Sequence, residues 1–156
     1  MINGEGRYVA ENITYTPSVI IRDNCIETIP TRGILCTTRQ TVLIEGNSFH
    51  ELYMAAIFIS NDSADWYESG PVRNMIIRGN RFYLRKKEAD SRQTEAVLIA
   101  PVVLQTEDGH SCKNIHQNIL ISDNTFFADS AQVIRAEGVT NLTFVENHIR
   151  SRKAFL

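Results

Sequence analysis

The chain has 156 residues, a net charge of −2 and a pI near 6.1, enough for one domain with a substantial core. That balance creates no basic field, so neither a nucleic acid nor an anionic membrane is an expected partner. Neither end carries an apolar run of membrane-spanning length, and Met1-Ile2-Asn3-Gly4-Glu5-Gly6 lacks the build of a signal peptide. Cys25, Cys36 and Cys112 are odd in number and lack metal-ligand spacing; Cys36, inside an apolar run, reads as a buried thiol.

In chain order, five segments share one frame. They are Val19-Ile20-Ile21-Arg22-Asp23-Asn24-Cys25-Ile26, Val42-Leu43-Ile44-Glu45-Gly46-Asn47-Ser48-Phe49, Met75-Ile76-Ile77-Arg78-Gly79-Asn80-Arg81-Phe82, Ile119-Leu120-Ile121-Ser122-Asp123-Asn124-Thr125-Phe126 and Leu142-Thr143-Phe144-Val145-Glu146-Asn147-His148-Ile149. From asparagine to asparagine the steps are 23, 33, 44 and 23 residues. The two short steps are the bare repeat, and the two long ones are a repeat with insertions. Each frame reads as a strand ended by a bend.

A second apolar run follows each of the first four: Gly33-Ile34-Leu35-Cys36, Ala56-Ile57-Phe58-Ile59, Ala96-Val97-Leu98-Ile99 and Gln132-Val133-Ile134. Ile34 and Ile57 lie ten residues after their asparagines and Val133 nine after. Val97 lies seventeen after, which marks Leu84 to Arg92 as a hydrophilic insertion.

Two or three short strands per repeat, with no amphipathic helix between them, exclude a Rossmann-type fold. The expected architecture is all-β: a right-handed parallel β-helix of about five coils, residues 1–156 forming a single domain. Equivalent strands then pair at about 4.8 Å. Asn24, Asn47, Asn80, Asn124 and Asn147 are expected at the bends, in left-handed backbone angles, with their amides bonding from coil to coil as scaffold rather than as ligands. Ile26, Phe49, Phe82, Phe126 and Ile149 should stack in an inward file. Nothing before Val19 or after Ile149 resembles an end cap, so the chain is expected to be part of a longer β-helix protein. Its open coil ends would then stack on a partner, a second copy included.

The large insertions follow the second run in neighbouring coils and should project from one edge. One holds Asp62, Asp65 and Glu68 with the chain's only tryptophan, Trp66. The next, from Pro101 to Asn118, holds Glu107, Asp108, His110 and His116. Aromatic faces pack on sugar rings, and carboxylates bind hydroxyls or do acid–base work, so the edge is a candidate carbohydrate site. An acidic surface loop pinned by a tryptophan gives the same composition.

Ala10 to Val19, Arg32-Gly33-Ile34-Leu35, and Ala56-Ile57-Phe58-Ile59 followed by Asp62, Trp66, Glu68, Ser69 and Gly70 resemble the exo-acting α-1,3-galactosidases of glycoside hydrolase family 110. His116-Gln117-Asn118-Ile119 ahead of Ile121 and Asn124 also fits. The resemblance implies a β-helical, secreted or periplasmic bacterial enzyme that hydrolyses terminal α-linked galactose with inversion and needs no metal or organic cofactor. An inverting carboxyl pair stands about 6.5–9.5 Å apart. Asp62 and Glu68 are the candidate catalytic carboxylates. The alternatives are a corner-capping role for Asp62 and a structural ion pair from Glu68 to Arg73 or Arg78. Trp66, Arg32, Arg39, Asp65, Glu107, Asp108 and His116 are the candidate substrate-binding residues. Two other readings compete: a carbohydrate-binding or adhesive β-helix without turnover, and an inactive truncated scaffold. A polysaccharide lyase is disfavoured, because the loops show no calcium cage.

Overall fold

The computed structural model describes residues 10–62, 66, 70–85, 95–102 and 114–155. The first coil consists of β1 (Val19–Arg22), β2 (Cys25–Glu27) and β3 (Ile34–Cys36). The second is β4 (Thr41–Glu45), β5 (Ser48–His50) and β6 (Ile57–Ile59). β7 (Asn74–Arg78), β8 (Arg81–Tyr83) and β9 (Val97–Ile99) make the third. The fourth contains β10 (His116–Ser122), β11 (Thr125–Phe127) and β12 (Ile134–Ala136). β13 (Val139–Val145) and β14 (His148–Arg150) belong to the fifth, followed by a 3-10 turn, Arg152–Phe155. Equivalent strands pair in parallel from coil to coil. The described residues thus form three sheets, β1-β4-β7-β10-β13, β2-β5-β8-β11-β14 and β3-β6-β9-β12. This is a parallel β-helix, as the repeat implies.

The asparagines form one continuous ladder. Asn80 shows the pattern: its backbone N–H and its Nδ2 both donate to Asn124 Oδ1 at 2.9 Å. Nδ2 also donates to the carbonyls of Ile44 and Arg78 at 3.0 Å. Its own Oδ1 accepts the backbone N–H and Nδ2 of Asn47, at 2.9 and 3.1 Å. Asn24 bonds Asn47 in the same way, and Asn124 bonds Asn147. Each buried amide therefore satisfies the bend of its own coil and that of the coil before, so the turn leaves few polar groups orphaned.

The bend differs from expectation in one respect. The left-handed residue is not the asparagine but the one before it: Asp23, Gly46, Gly79, Asp123 and Glu146 have φ of 57°, 66°, 62°, 56° and 55°. The asparagine keeps ordinary backbone angles because its side chain must point inward along the ladder. Glycine suits these angles best, and a Cβ on Gly46 would also approach Asp23 Oδ1 to 2.6 Å, so a larger residue there displaces the end of that side chain.

Inside the coil, side chains at equal positions stack. Phe49, Phe82 and Phe126 lie in register, with ring centroids 4.9 Å apart and planes within 8° of parallel. Ile26 and Ile149 continue the file at either end. Val42, Met75 and Ile119, and Ile44, Ile77 and Ile121, line the first sheet's inner face. Ile57, Ile59, Val97 and Ile99 line that of the third. In that sheet Ile134, not Val133, pairs with Val97, so the ten-residue step holds in the fourth coil too; Val133 is nevertheless buried in the core. Cys36 is a buried thiol, and burial raises its pKa; Cys25 is exposed. Cys112 and most of the hydrophilic insertion after Leu84 lie outside the described residues. No helix among the described residues is long and apolar enough to cross a membrane.

Candidate functional site

In the third sheet the inner face is core, and at its two central strands the outer face is covered as well. All three residues of β6 and of β9 are buried. Phe58 and Leu98, which point outward by strand alternation, form a second small apolar cluster with Ala55 and Ala100. The two insertions leave from the ends of these strands, and their first residues are joined. Ala100 N–H donates to Ile59 O at 3.1 Å, and Val102 N–H donates to Asn61 O at 2.9 Å. Ser60 Oγ donates to Ala100 O at 2.9 Å, and Asp62 forms a parallel bridge with Val102. The expectation that both insertions start from one edge is met by these bonds.

An open groove of about 620 Å³ runs along this edge. Leu35 and Phe58 give it apolar surface, Ser60 and Asp62 polar surface, and Arg32, Trp66 and Pro101 border it. Trp66 is 79% exposed. The Arg32 guanidinium lies over the Phe58 ring, 4.8 Å from its centroid, which fixes the charge by cation–π attraction. Arg32 Nε and Asn61 Oδ1 are buried without a hydrogen-bond partner among the described residues. A buried donor left unmade costs about 1–3 kcal/mol, so its position on a groove wall is informative.

Of the sequence candidates, Asp62, Trp66 and Arg32 come together on this groove. Arg39 does not line it: its guanidinium is paired with Glu11. His116 opens β10 and is fully buried, its Nδ1 accepting the Val72 N–H at 3.2 Å. Desolvation, with the charge of Arg73 adding to it, lowers its pKa to about 4. Asp65, Glu68, Glu107 and Asp108 lie outside the described residues. Arg78, one alternative partner for Glu68, is already paired with Glu45. Among the described residues no group of His, Cys, Asp or Glu is arranged to hold a metal.

Sequence reasoning passed over Leu35 and Phe58 as groove residues. The signal was available: both alternate with inward residues on core strands, so an apolar side chain there faces outward at the edge that bears the insertions. A second, outward asparagine ladder was also missed. Asn118 Nδ2 donates to Asn74 Oδ1 at 3.2 Å, and Asn141 Nδ2 to Asn118 Oδ1 at 3.0 Å. Asn118 and Asn141 both have left-handed backbones, φ 53° and 57°. Their separations of 44 and 23 residues repeat two steps of the inner ladder.

Fold and groove together define a parallel β-helix with a loop-bordered cleft on one sheet edge. In sequence it is a galactosidase-like segment. It is 44% identical to an alpha-1,3-galactosidase A of Peterkaempfera griseoplana over 144 residues, 92% of this chain and 18% of that protein. It is 41% identical to the alpha-1,3-galactosidase A of Streptomyces avermitilis over 93% of this chain and 22% of that one. With the enzyme of that name from Bacteroides thetaiotaomicron the identity is 40%, over 92% and 23%. The chain thus spans about a fifth of the length of the curated relatives it matches. No family model matches. The resemblance carried by Ala10 to Val19, Arg32 to Leu35, Ala56 to Gly70 and His116 to Asn124 therefore extends over about 92% of the chain.

Proposed function

We propose that this segment supplies the sugar-binding wall and a catalytic carboxylate of a glycoside hydrolase that removes terminal α-linked galactose with inversion. The observation that carries the reading is the groove itself. An exposed indole, an apolar floor and a fixed guanidinium with a buried, unpartnered Nε–H meet beside Asp62. A pyranose has both kinds of surface, an apolar C–H face for Trp66 or Phe58 and hydroxyls for Arg32 and Asp62. The names of the relatives support galactose as that sugar.

In the proposed reaction one carboxyl group protonates the glycosidic oxygen while a second activates a water on the opposite face of the ring. The C1–O bond breaks as the water oxygen bonds to C1, and the water's proton passes to the second carboxylate. Asp62 and Glu68 take these two roles, with Asp65, Glu107 and Asp108 as hydroxyl ligands from the two insertions. Coil spacing of about 4.8 Å is too short for an inverting pair at equal positions on adjacent coils, so the insertions must set the separation. Stacking of the open coil ends on further coils or a second copy belongs to the same proposal, since Ile20, Val145 and Ile149 are exposed there.

The test is turnover of an activated α-galactoside by the longer protein that carries this segment, unaltered and with Asp62→Asn or Glu68→Gln. Binding of methyl α-galactoside is followed in parallel. Turnover lost in both variants with binding kept is the expected result. Full activity in both excludes these residues from catalysis. Binding by the unaltered protein without any turnover would establish a carbohydrate-binding β-helix instead.

A further inference from the structure

Three separate parts of the chain meet at one carboxylate. Glu11, ahead of β1, receives the Arg39 guanidinium on Oε2 and the Gly70 backbone N–H on Oε1, at 3.0 Å. Arg39 lies in the link between β3 and β4, and Gly70 closes the insertion that opens at Asp62. The side chains are 34% and 17% exposed for Arg39 and Glu11, so the pair is largely shielded from solvent. A Cβ on Gly70 would stand 2.5 Å from Arg39 Nη2 and overlap Glu11 Oε2. A larger residue at Gly70 therefore displaces the ends of the Glu11 and Arg39 side chains from their present pairing.

We propose that Glu11 and Arg39 are positioning residues, which clamp the far end of the Asp62–Gly70 insertion and thereby hold Trp66 over the groove. The near end is fixed by the Asp62–Val102 bridge, and Trp66 sits four residues from each fixed end. A segment tied at both ends has less freedom to lose when a ligand arrives, so the clamp preorganises the groove. The ionised acceptor strengthens the Gly70 bond beyond what a neutral partner gives. Arg39 neutralises and orients that carboxylate, which gives the arginine a role one shell away from any sugar. The clamp stands on geometry alone; its consequence for binding rests on the galactoside reading above.

Three readouts test it in Glu11→Ala, Arg39→Ala, Arg39→Lys and Gly70→Ala. Amide hydrogen exchange at Gly70 should accelerate about tenfold or more in the three alanine variants, a local opening without loss of the trunk. The Asn47 and Asn80 amides serve as internal controls. Fluorescence anisotropy of Trp66, the chain's one tryptophan, should fall in the same variants, because an indole already 79% exposed reports loosening through its motion, and Arg39→Lys should restore most of both signals. Affinity for methyl α-galactoside should weaken about tenfold in the alanine variants through lost preorganisation. Unchanged Gly70 exchange and Trp66 anisotropy, with the control amides protected, would overturn the clamp. A loosened Trp66 with undiminished affinity would overturn its positioning role. If an alanine variant also exposes the control amides, Glu11→Gln decides by the same readouts, since it keeps the volume and one acceptor while removing the charge. A clamp confirmed in an unaltered chain that binds no galactoside would leave the clamp standing and refute the proposed function.

Discussion

At the bend between the first and second sheets, one residue type bonds its own coil and the coil before it, and the arrangement recurs from Asn24 to Asn147. After the third sheet, on the other edge, the links have little in common. The first coil has only the short stretch Thr37-Thr38-Arg39-Gln40 before β4, while the second and third carry the insertions that border the groove. The contrast teaches where each property resides. Stability comes from likeness between neighbours, because identical groups at strand spacing satisfy one another. A binding site needs unlike groups in one place, so it arises where the repeat is interrupted.

The largest expected effect tests whether chemistry is confined to the interrupted edge. Asp62→Asn should lower turnover of an α-galactoside about 10²–10⁴-fold, the range for losing a general acid or base. The urea midpoint of the variant should barely move. A comparable loss of stability would show that Asp62 belongs to the trunk instead.

Phe82→Ala probes the opposite region. Phe82 is fully buried between Phe49 and Phe126, so its truncation should cost about 3–5 kcal/mol by denaturant unfolding. Galactoside affinity of the molecules that remain folded should be kept. An equal loss of affinity would mean that the trunk tunes the groove directly.

His116 joins the two regions, since it opens β10 at the end of the second insertion and is wholly buried. Its folded pKa of about 4 lies below the ordinary 6.5. As pH falls through 6.5 the unfolded chain takes up this proton and the folded chain does not, which favours unfolding. The contribution to stability is thus complete above about pH 7 and declines toward pH 4 by up to about 3 kcal/mol. Below pH 4 it changes no further. Comparing urea midpoints at pH 7 and pH 4.5 for the unaltered chain and His116→Gln isolates the effect, and a slope unchanged by the substitution would remove His116 as its cause.

The smallest effect grades the ladder itself. Asn80→Ala should cost about 1–3 kcal/mol, because it orphans buried partners on both neighbouring coils. Asn24→Ala, at the exposed first coil, should cost less. Equal costs would show that the amides act one coil at a time and not as a continuous ladder.

Much of this was legible in the residues. The five-fold frame carried the ladder and the inward file, since each depends only on what recurs at fixed spacing; whether a coil holds two strands or three was left open, and the structure shows three sheets. The same steps were present at Asn118 and Asn141, and the outward ladder escaped notice only because those residues precede an apolar run instead of following one. The assignment of left-handed angles to the ladder asparagines failed for a physical reason. A bend needs one such residue, and an asparagine committed to inward bonding leaves that conformation to its neighbour, here Asp, Gly or Glu.

The site was less legible. Asp62, Trp66 and Arg32 could be placed near one another because they flank strands of adjoining coils. Arg39 could not be separated from Arg32 on the page, since both are arginines beside the same strand. Their fates diverge through partners that no repeat encodes: Phe58 lies under one guanidinium, and Glu11, 28 residues away, takes the other. Periodicity by itself determined the trunk, because parallel stacking makes each coil's environment a copy of its neighbour's. Only the tertiary structure decided which charged side chains face the groove and which are paired away from it. Those pairings join segments that occur once in the chain and have no counterpart in the next coil.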